Sequence, residues 1–438
     1  MQRYALIFLA TIRNCGDAYG KDICNYYKCT GCYACANVCP KKCITLGKDS
    51  YGEIHPVVDT QLCIDCKLCQ KTCPNNRSLS FRYPEHCYAA WITDANKRKI
   101  CASGGIGTEF SEYVINHGGV IFGSRYDRNL NPIITWTDQI ADLEKFKGSR
   151  YVQSEVGNRT FQQVKEFLLQ GRKVLYIGTP CQIAGLYGFL KKSYENLLTV
   201  DLICHGVSPS TYFKEEVKYL SSKFELDDIS DIRFRGNDGN NFRLTLWNKD
   251  RRKLFPRNNY RQKIFNRDFL EDYYIQGFLK GVSLRENCYT CNYARPERIS
   301  DLTIGDFIGL GKEVPFSYPK GNVSSITTNT QKGYDFLMRV VEENSELKII
   351  ERDYKERLQY RPSLMEPFQR DKRNPAFREA YKQLGYPLAI RKVMSKGMHI
   401  EYTRILIHRF RPDRITKKVI KIILGQKNVT AIKKMIGK

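Results

Sequence analysis

The chain has 438 residues, 42% of them hydrophobic and 12% aromatic, with a formal net charge of +25 at neutral pH. That length exceeds one ordinary core and implies two or three domains, while no apolar run approaches the roughly 18–20 residues that span a bilayer. The 17 cysteines are odd in number and follow a start, MQRYALIFLATIRNC, with no small-residue cleavage site, which argues against a secreted disulfide scaffold and for the cytoplasm.

Residues 29–40, CTGCYACANVCP, and 63–74, CIDCKLCQKTCP, share the spacing C-x2-C-x2-C-x3-C-P. A [4Fe–4S] cube needs four thiolates at the corners of a tetrahedron, and a tight loop with two residues between cysteines wraps three of them round one cube. In two-cluster ferredoxins the fourth comes from the other motif. The expected sets are therefore Cys29, Cys32, Cys35 and Cys73 for one cluster, and Cys63, Cys66, Cys69 and Cys39 for the other. Pro40 and Pro74 then turn the chain away from each cube. Structural zinc also uses CxxC pairs, but it has no need of a third cysteine and a proline at this spacing. Between the motifs, ITLGKDSYGEIHPVVD reads as short strands round a turn. This gives an α+β ferredoxin-like dicluster domain over residues 20–80. Cys15, Cys24, Cys43, Cys87 and Cys101 fall outside the pattern, and most of them read as ordinary buried cysteines.

After the polar link NNRSLSFRYPEH the signals alternate. CYAAWIT and GGVIFGSRYD read as strands, with GTEFSEYVINH between them as a helix opened by Ser103–Gly105. FQQVKEFLLQGRKVLYIGTPCQIAGLYGFLKK runs helix, strand, turn, helix, and NLLTVDLICHG is a further strand. Such alternation predicts an α/β domain with a mainly parallel sheet, taken here as regions 85–165 and 166–320. A basic helical C-terminal region, 321–438, follows. No GxGxxG fingerprint succeeds a strand, and SGGIG alone is weak evidence for a phosphate site.

Cys181 follows the strand KVLYI, beside Thr179 and Pro180, which read as the cap and first position of a helix. Free N–H groups there favour a thiolate, so Cys181 is a candidate catalytic or ligating thiol. Cys204 ends the next strand, and ligands in open α/β sheets bind outside the carboxyl ends of strands. Cys288 and Cys291 add another CxxC before ISDLTIGDF. These four cysteines read as a third [4Fe–4S] site, with a zinc knuckle or unrelated buried thiols as the alternatives. His205, beside Cys204, reads as a ligand, a proton carrier or a plain turn histidine.

The positive charge concentrates at the end, where residues 391–438 carry fourteen Lys and Arg against Glu401 and Asp413. In ITKKVIKIILGQKNVTAIKKMIGK, residues 415–438, Ile415, Val419, Ile422 and Ile423 share a helical face that the lysines largely avoid. Two readings are open: peripheral association with an anionic membrane, or packing of the apolar stripe on the chain's own domain. No recognised nucleic-acid motif accompanies the charge, so no nucleic-acid partner is expected.

In order along the chain, the two ferredoxin motifs, SGGIGTEF, KGSRYVQS, IGTPCQIAGLYGFLK, VDLICHGVSPS, FRGND and ENCYTCNYARPERISDLTIGDF resemble the coenzyme F-420 hydrogenase/dehydrogenase beta-subunit family, in its form with an N-terminal two-cluster ferredoxin domain. The resemblance implies an iron–sulfur flavoprotein oxidoreductase that binds FAD. It assigns Cys181, Cys204, Cys288 and Cys291 to a further cluster, and makes Ser103, Gly104, Gly105, Lys147, Ser149, Tyr151 and Gln153 candidates for the flavin site. Electrons would pass between a carrier, F-420-, ferredoxin- or nicotinamide-like, and a small-molecule substrate or redox partner protein. The alternative is a non-catalytic relay subunit that wires another enzyme.

Overall fold

The computed structural model of the chain describes residues 21–235, 242–249, 261–318 and 323–410. Its first unit is built on the two cysteine loops. Helix α1 (Ala34–Val38) leaves the first loop and α2 (Leu68–Thr72) the second. Between them β1 (Ile44–Lys48) pairs antiparallel with β2 (Ile54–Val58), Ile44 opposite Val58. The two loops repeat each other in conformation. Positive φ brackets the second cysteine of each motif, at Gly31 (62°) and Tyr33 (64°) round Cys32 and at Asp65 (52°) and Lys67 (58°) round Cys66. Left-handed residues reverse the chain within a step or two, so three thiols spaced over seven residues face one centre. The first loop needs glycine for a second reason. A Cβ on Gly31 would lie 2.8 Å from Gln153 Nε2, because this loop faces the rest of the molecule, whereas in the second Cys66 is exposed.

The larger domain carries β3 (His86–Ile92), β4 (Val120–Tyr126), β5 (Pro132–Thr137), β6 (Val174–Gly178), β7 (Leu197–Leu202), β8 (Ile229–Arg233), β9 (Arg243–Lys249), β10 (Arg261–Asp268), β11 (Leu302–Asp306), β12 (Ser324–Thr328) and β13 (Leu347–Arg352). Eight of them form one mixed sheet in the order β13-β3-β12-β11-β7-β6-β4-β5. The centre, β11-β7-β6-β4, is parallel. Antiparallel β5 closes one edge, and β12, β3 and β13 extend the other, each antiparallel to its neighbour. In the centre β6 and β7 are almost wholly buried, as strands between two helical layers must be. The sheet draws on residues 85–165, 166–320 and 321–438 alike, so these segments share one core. Residues from 321 on are not all helical, because β12 and β13 join that sheet. A separate antiparallel meander, β8-β9-β10, is an addition to the predicted elements.

Helices α3 (Ile106–Asn116), α4 (Thr160–Leu169), α5 (Pro180–Leu190), α6 (Ser210–Phe224), α7 (Tyr273–Leu279), α8 (Gln331–Glu343) and α9 (Asn374–Phe410) complete the fold. Phe110 and Val114 of α3 pack with Phe336 and Leu337 of α8 in one core. Phe161 and Val164 of α4 and Ile183 and Leu186 of α5 form another, which also takes in Cys32, Tyr33 and Ala34 of the ferredoxin unit. Helix α5 can come that close because of its glycines. A Cβ on Gly185 would lie 2.9 Å from Cys32 Sγ, and one on Gly188 would overlap the carbonyl oxygen of Thr72. A third core joins Phe213 of α6, Tyr274 of α7, Leu244 of β9 and Tyr386 and Ile390 of α9. Helix α9 breaks at Gly385, φ 69° and ψ 173°, with Pro387 just beyond. Among the described residues no helix is long and apolar enough to cross a membrane. The apolar run at residues 5–10 and the basic stripe at 415–438 lie outside the described residues.

Candidate redox centres and the cavity between them

Two small cavities open in the ferredoxin unit. One is lined by Cys29, Cys32, Cys35 and Cys73, the other by Cys39, Cys63, Cys66 and Cys69. Each thus gathers three thiols of one motif and the fourth of the other. Cys29, Cys32 and Cys73 are buried while Cys66 is exposed, so the first cavity is the inner one. Burial, reinforced by the charge of Cys73, pushes the Cys32 thiol up to about 12, and burial and Cys32 push Cys35 well up. Thiols crowded in this way suit a cationic centre that stabilises them as thiolates. Among the described residues no three His, Cys, Asp or Glu side chains converge on a single ion, and a four-iron body instead takes its thiolates at separate corners. Each cavity also holds a fifth thiol that the spacing gave no reason to single out. Cys24 lines the inner one and Cys43 the outer, with Cys43 Sγ 3.4 Å from Cys39 Sγ. Cys87 and Cys101 are buried, as expected of packing cysteines.

The four later cysteines also gather. Cys181 is the second residue of α5, Cys204 lies just past β7, Cys288 lies within a short 3-10 turn, Glu286–Thr290, and Cys291 caps its end. Burial pushes the Cys204 thiol up to about 12, with Cys181 and Cys291 adding to it, and burial with Cys204 and Cys291 raises Cys288 well up. The expectation of an ionised Cys181 is not met. Burial pushes its thiol up to about 11 against a hydrogen bond with Thr179, whose Oγ1 lies 3.2 Å from the sulfur. The α5 N-terminus is occupied by its own capping box, Thr179 with Gln182. His205 packs its ring on Phe278 and Phe368, and burial pushes it down to about 4, leaving it neutral.

A cavity of about 370 Å³ lies at the carboxyl ends of β6, β7 and β11 and at the start of α3. This is the crevice where open α/β sheets bind ligands. Ser103, Gly105, Lys147, Ser149, Tyr151 and Gln153 line it, together with Cys181 and Cys204. Gly104 does not. Its N–H donates to Ser324 Oγ at 2.9 Å and its carbonyl accepts from Ile92 N at 2.9 Å, tying the loop to the sheet. Tyr151 stacks with Phe278 (5.0 Å) and Phe242 (5.8 Å). Gln153 faces the ferredoxin unit, where its Nε2 donates to Thr30 O at 3.3 Å.

Three wall residues escaped the sequence reading: Arg235, Asp306 and Arg361. Burial would raise Asp306, but the Arg235 guanidinium, donating to both carboxylate oxygens at 2.6 and 2.7 Å, outweighs it and holds the carboxyl below its usual range. The Nε of Arg361 is buried with no hydrogen-bond partner among the described residues. Thr30 and Gly31, between Cys29 and Cys32 of the inner cavity, form part of the same wall.

Residues 171–353 match the family model for the C-terminal part of the coenzyme F-420 hydrogenase/dehydrogenase beta chain, and residues 28–76 match the 4Fe-4S dicluster domain. The chain belongs to this beta-subunit family. It is the form with an N-terminal 4Fe-4S dicluster domain. An uncharacterized ferredoxin of Methanocaldococcus jannaschii is 40% identical over 52 residues, which are 12% of this chain and 66% of that protein. The NADH-quinone oxidoreductase subunit I 2 of Geobacter metallireducens is 43% identical over 53 residues, 11% of this chain and 40% of that protein. A chain of the F-420-reducing [NiFe] hydrogenase complex from Methanosarcina barkeri superposes with a TM-score of 0.41 at 16% identity, covering 63% of this chain and 85% of that one.

Proposed function

We propose that this protein is an iron–sulfur flavoprotein oxidoreductase. Cys29, Cys32, Cys35 and Cys73 would hold an inner [4Fe–4S] cluster, and Cys39, Cys63, Cys66 and Cys69 an outer one. Cys181, Cys204, Cys288 and Cys291 would hold a third, and FAD would lie in the cavity at the strand ends. The observation that carries this reading is the wall of that cavity, which contains both the Thr30–Gly31 link of the inner cysteine loop and the thiols of Cys181 and Cys204.

The residues fit a flavin in two respects. The stacked rings of Tyr151, Phe242 and Phe278 give a flat aromatic wall, and the unpartnered Nε of Arg361 is a donor for an anionic group such as a phosphate. When bound, a flavin exchanges a two-electron hydride for single electrons, which iron–sulfur clusters carry one at a time. The chain's own contribution is placement and exclusion of water. Burial of Cys29, Cys32 and Cys73 keeps the inner site dry, while the outer loop, with Cys66 exposed and Leu62 and Ile64 57% and 58% exposed beside it, offers a redox partner protein an apolar landing place. A small-molecule substrate or carrier would enter the cavity beside Arg235 and Arg361.

The test is composition of the full chain purified without oxygen. About twelve irons and twelve acid-labile sulfides per chain, at four to a cube, with one flavin, are expected. Zinc in place of iron would refute the cluster reading, and iron without flavin, even after reconstitution with FAD, would leave the relay subunit.

A further inference from the structure

Arg285 is fully buried at the seam between the ferredoxin unit and the α/β domain. Its Nη2 donates to Cys29 O and to Ile54 O, each at 3.1 Å, its Nη1 to Gln153 Oε1 at 2.7 Å, and its Nε to Asn287 Oδ1 at 3.0 Å. All four acceptors are neutral. Among the described residues no carboxylate pairs with it, whereas the buried Arg298 and Arg235 have Asp201 and Asp306. A guanidinium taken out of water without a counter-charge is costly, and an anion bound nearby offsets that cost. The Cys29 carbonyl it holds belongs to the inner cysteine loop, whose next two residues, Thr30 and Gly31, line both the inner cavity and the larger one.

A four-iron cube with four thiolates is an anion, and taking up one electron makes it more negative. We propose that Arg285 is a positioning residue for electron transfer: its buried charge balances the inner cluster and raises that cluster's reduction potential, while its fork fixes the Cys29 peptide against Gln153 and the flavin-side wall. This rests on the cluster assignment above. The step concerned is a one-electron reduction of the bound cluster with no bond made or broken, dithionite supplying the electron in the test. Removing the positive charge makes the added electron less favourable, so the potential falls.

The experiment compares the oxygen-free full chain with Arg285→Gln and Arg285→Lys. Iron and sulfide are measured first, then each cluster's midpoint by dithionite titration followed by electron paramagnetic resonance. In Arg285→Gln with full iron, one midpoint is expected to move negative, so that at the wild-type midpoint the ratio of reduced to oxidised cluster falls at least tenfold, 59 mV for one electron. Arg285→Lys, which keeps the charge and loses the fork, is expected to stay nearer the wild type. If the glutamine variant retains iron and every midpoint is unchanged, the residue is structural only and the inference fails. If the glutamine variant loses iron, the lysine variant decides: recovered iron with a near-wild-type midpoint supports the charge, and loss in both overturns it. A wild-type chain that binds no cluster refutes the cluster assignment itself, and this inference with it.

Discussion

Cys181 was legible as a special residue, because a cysteine beside a Thr-Pro helix start is unusual, but its state was not. The sequence pointed to a thiolate stabilised by free N–H groups. In the structure Thr179 and Gln182 form a capping box there, and burial pushes the thiol up to about 11 against the hydrogen bonds of Thr179 and of its own N–H. A thiol so buried gains by binding metal, which removes its proton outright. Replacing it as Cys181→Ser is therefore expected to lower iron by about four per chain, one cube, with the flavin retained. Iron and flavin assays check this, and undiminished iron would make Cys181 packing. Cys24 and Cys43 show the opposite failure. Neither was singled out, yet each lines a cavity with four ferredoxin cysteines, since nothing in a spacing rule says where a fifth thiol folds to.

Among the elements, those with strong local signals were found where expected: β4, β6, β7, α3, α4 and α5. Strand β12 was missed for a physical reason. Its residues, Ser-Ser-Ile-Thr-Thr, are all buried, and three of the four hydroxyls find partners: Ser324 Oγ accepts from Gly104 N at 2.9 Å, Ser325 Oγ accepts from Arg357 Nε at 2.9 Å and Thr327 Oγ1 donates to Asn329 Oδ1 at 3.1 Å, while Thr328 Oγ1 has none among the described residues. A polar run becomes a core strand only once those partners exist. The start of α7 carries a testable cost. Asp272 caps it, Oδ1 accepting from Ile275 N at 2.9 Å, and burial, then the charge of Glu216, pushes its carboxyl up to about 7. The folded state thus holds the proton more tightly than the unfolded one. Stability is full below the ordinary carboxylate range and declines as pH rises to about 7, at up to about 1.4 kcal/mol per unit. Asp272→Asn keeps the capping oxygen and removes the charge. Its melting temperature is expected to exceed the wild type's by a margin that grows between about pH 4 and pH 7 and is flat above. A lower melting temperature at pH 8 would mean that Arg267, 3.8 Å away, holds the carboxylate after all.

At the scale of the whole molecule, the charge of +25 remains to be tested where it concentrates. If the basic stripe at 415–438 seats the protein on anionic lipid, each lysine near the surface contributes roughly 1 kcal/mol. The full chain should then co-sediment with phosphatidylserine vesicles at low salt and be released at high salt, while a chain ending at Pro412 stays in solution. Equal behaviour of the two chains would assign the stripe to packing. What the sequence by itself determined is the ferredoxin part. Three thiols within seven residues and a proline behind the fourth are a local pattern, and the pairing of two such loops follows from their repetition. What only the tertiary structure decided is the seam between the units: the gathering of Cys181, Cys204, Cys288 and Cys291, the thinness of the wall at Thr30–Gly31, and Arg285 in a buried place with neutral partners. These residues lie tens to hundreds of positions apart, so their meeting depends on the strand order β11-β7-β6-β4 and on the glycine face of α5. An arginine three positions before a cysteine, in a chain rich in arginine, carries no local mark of the field it will stand in.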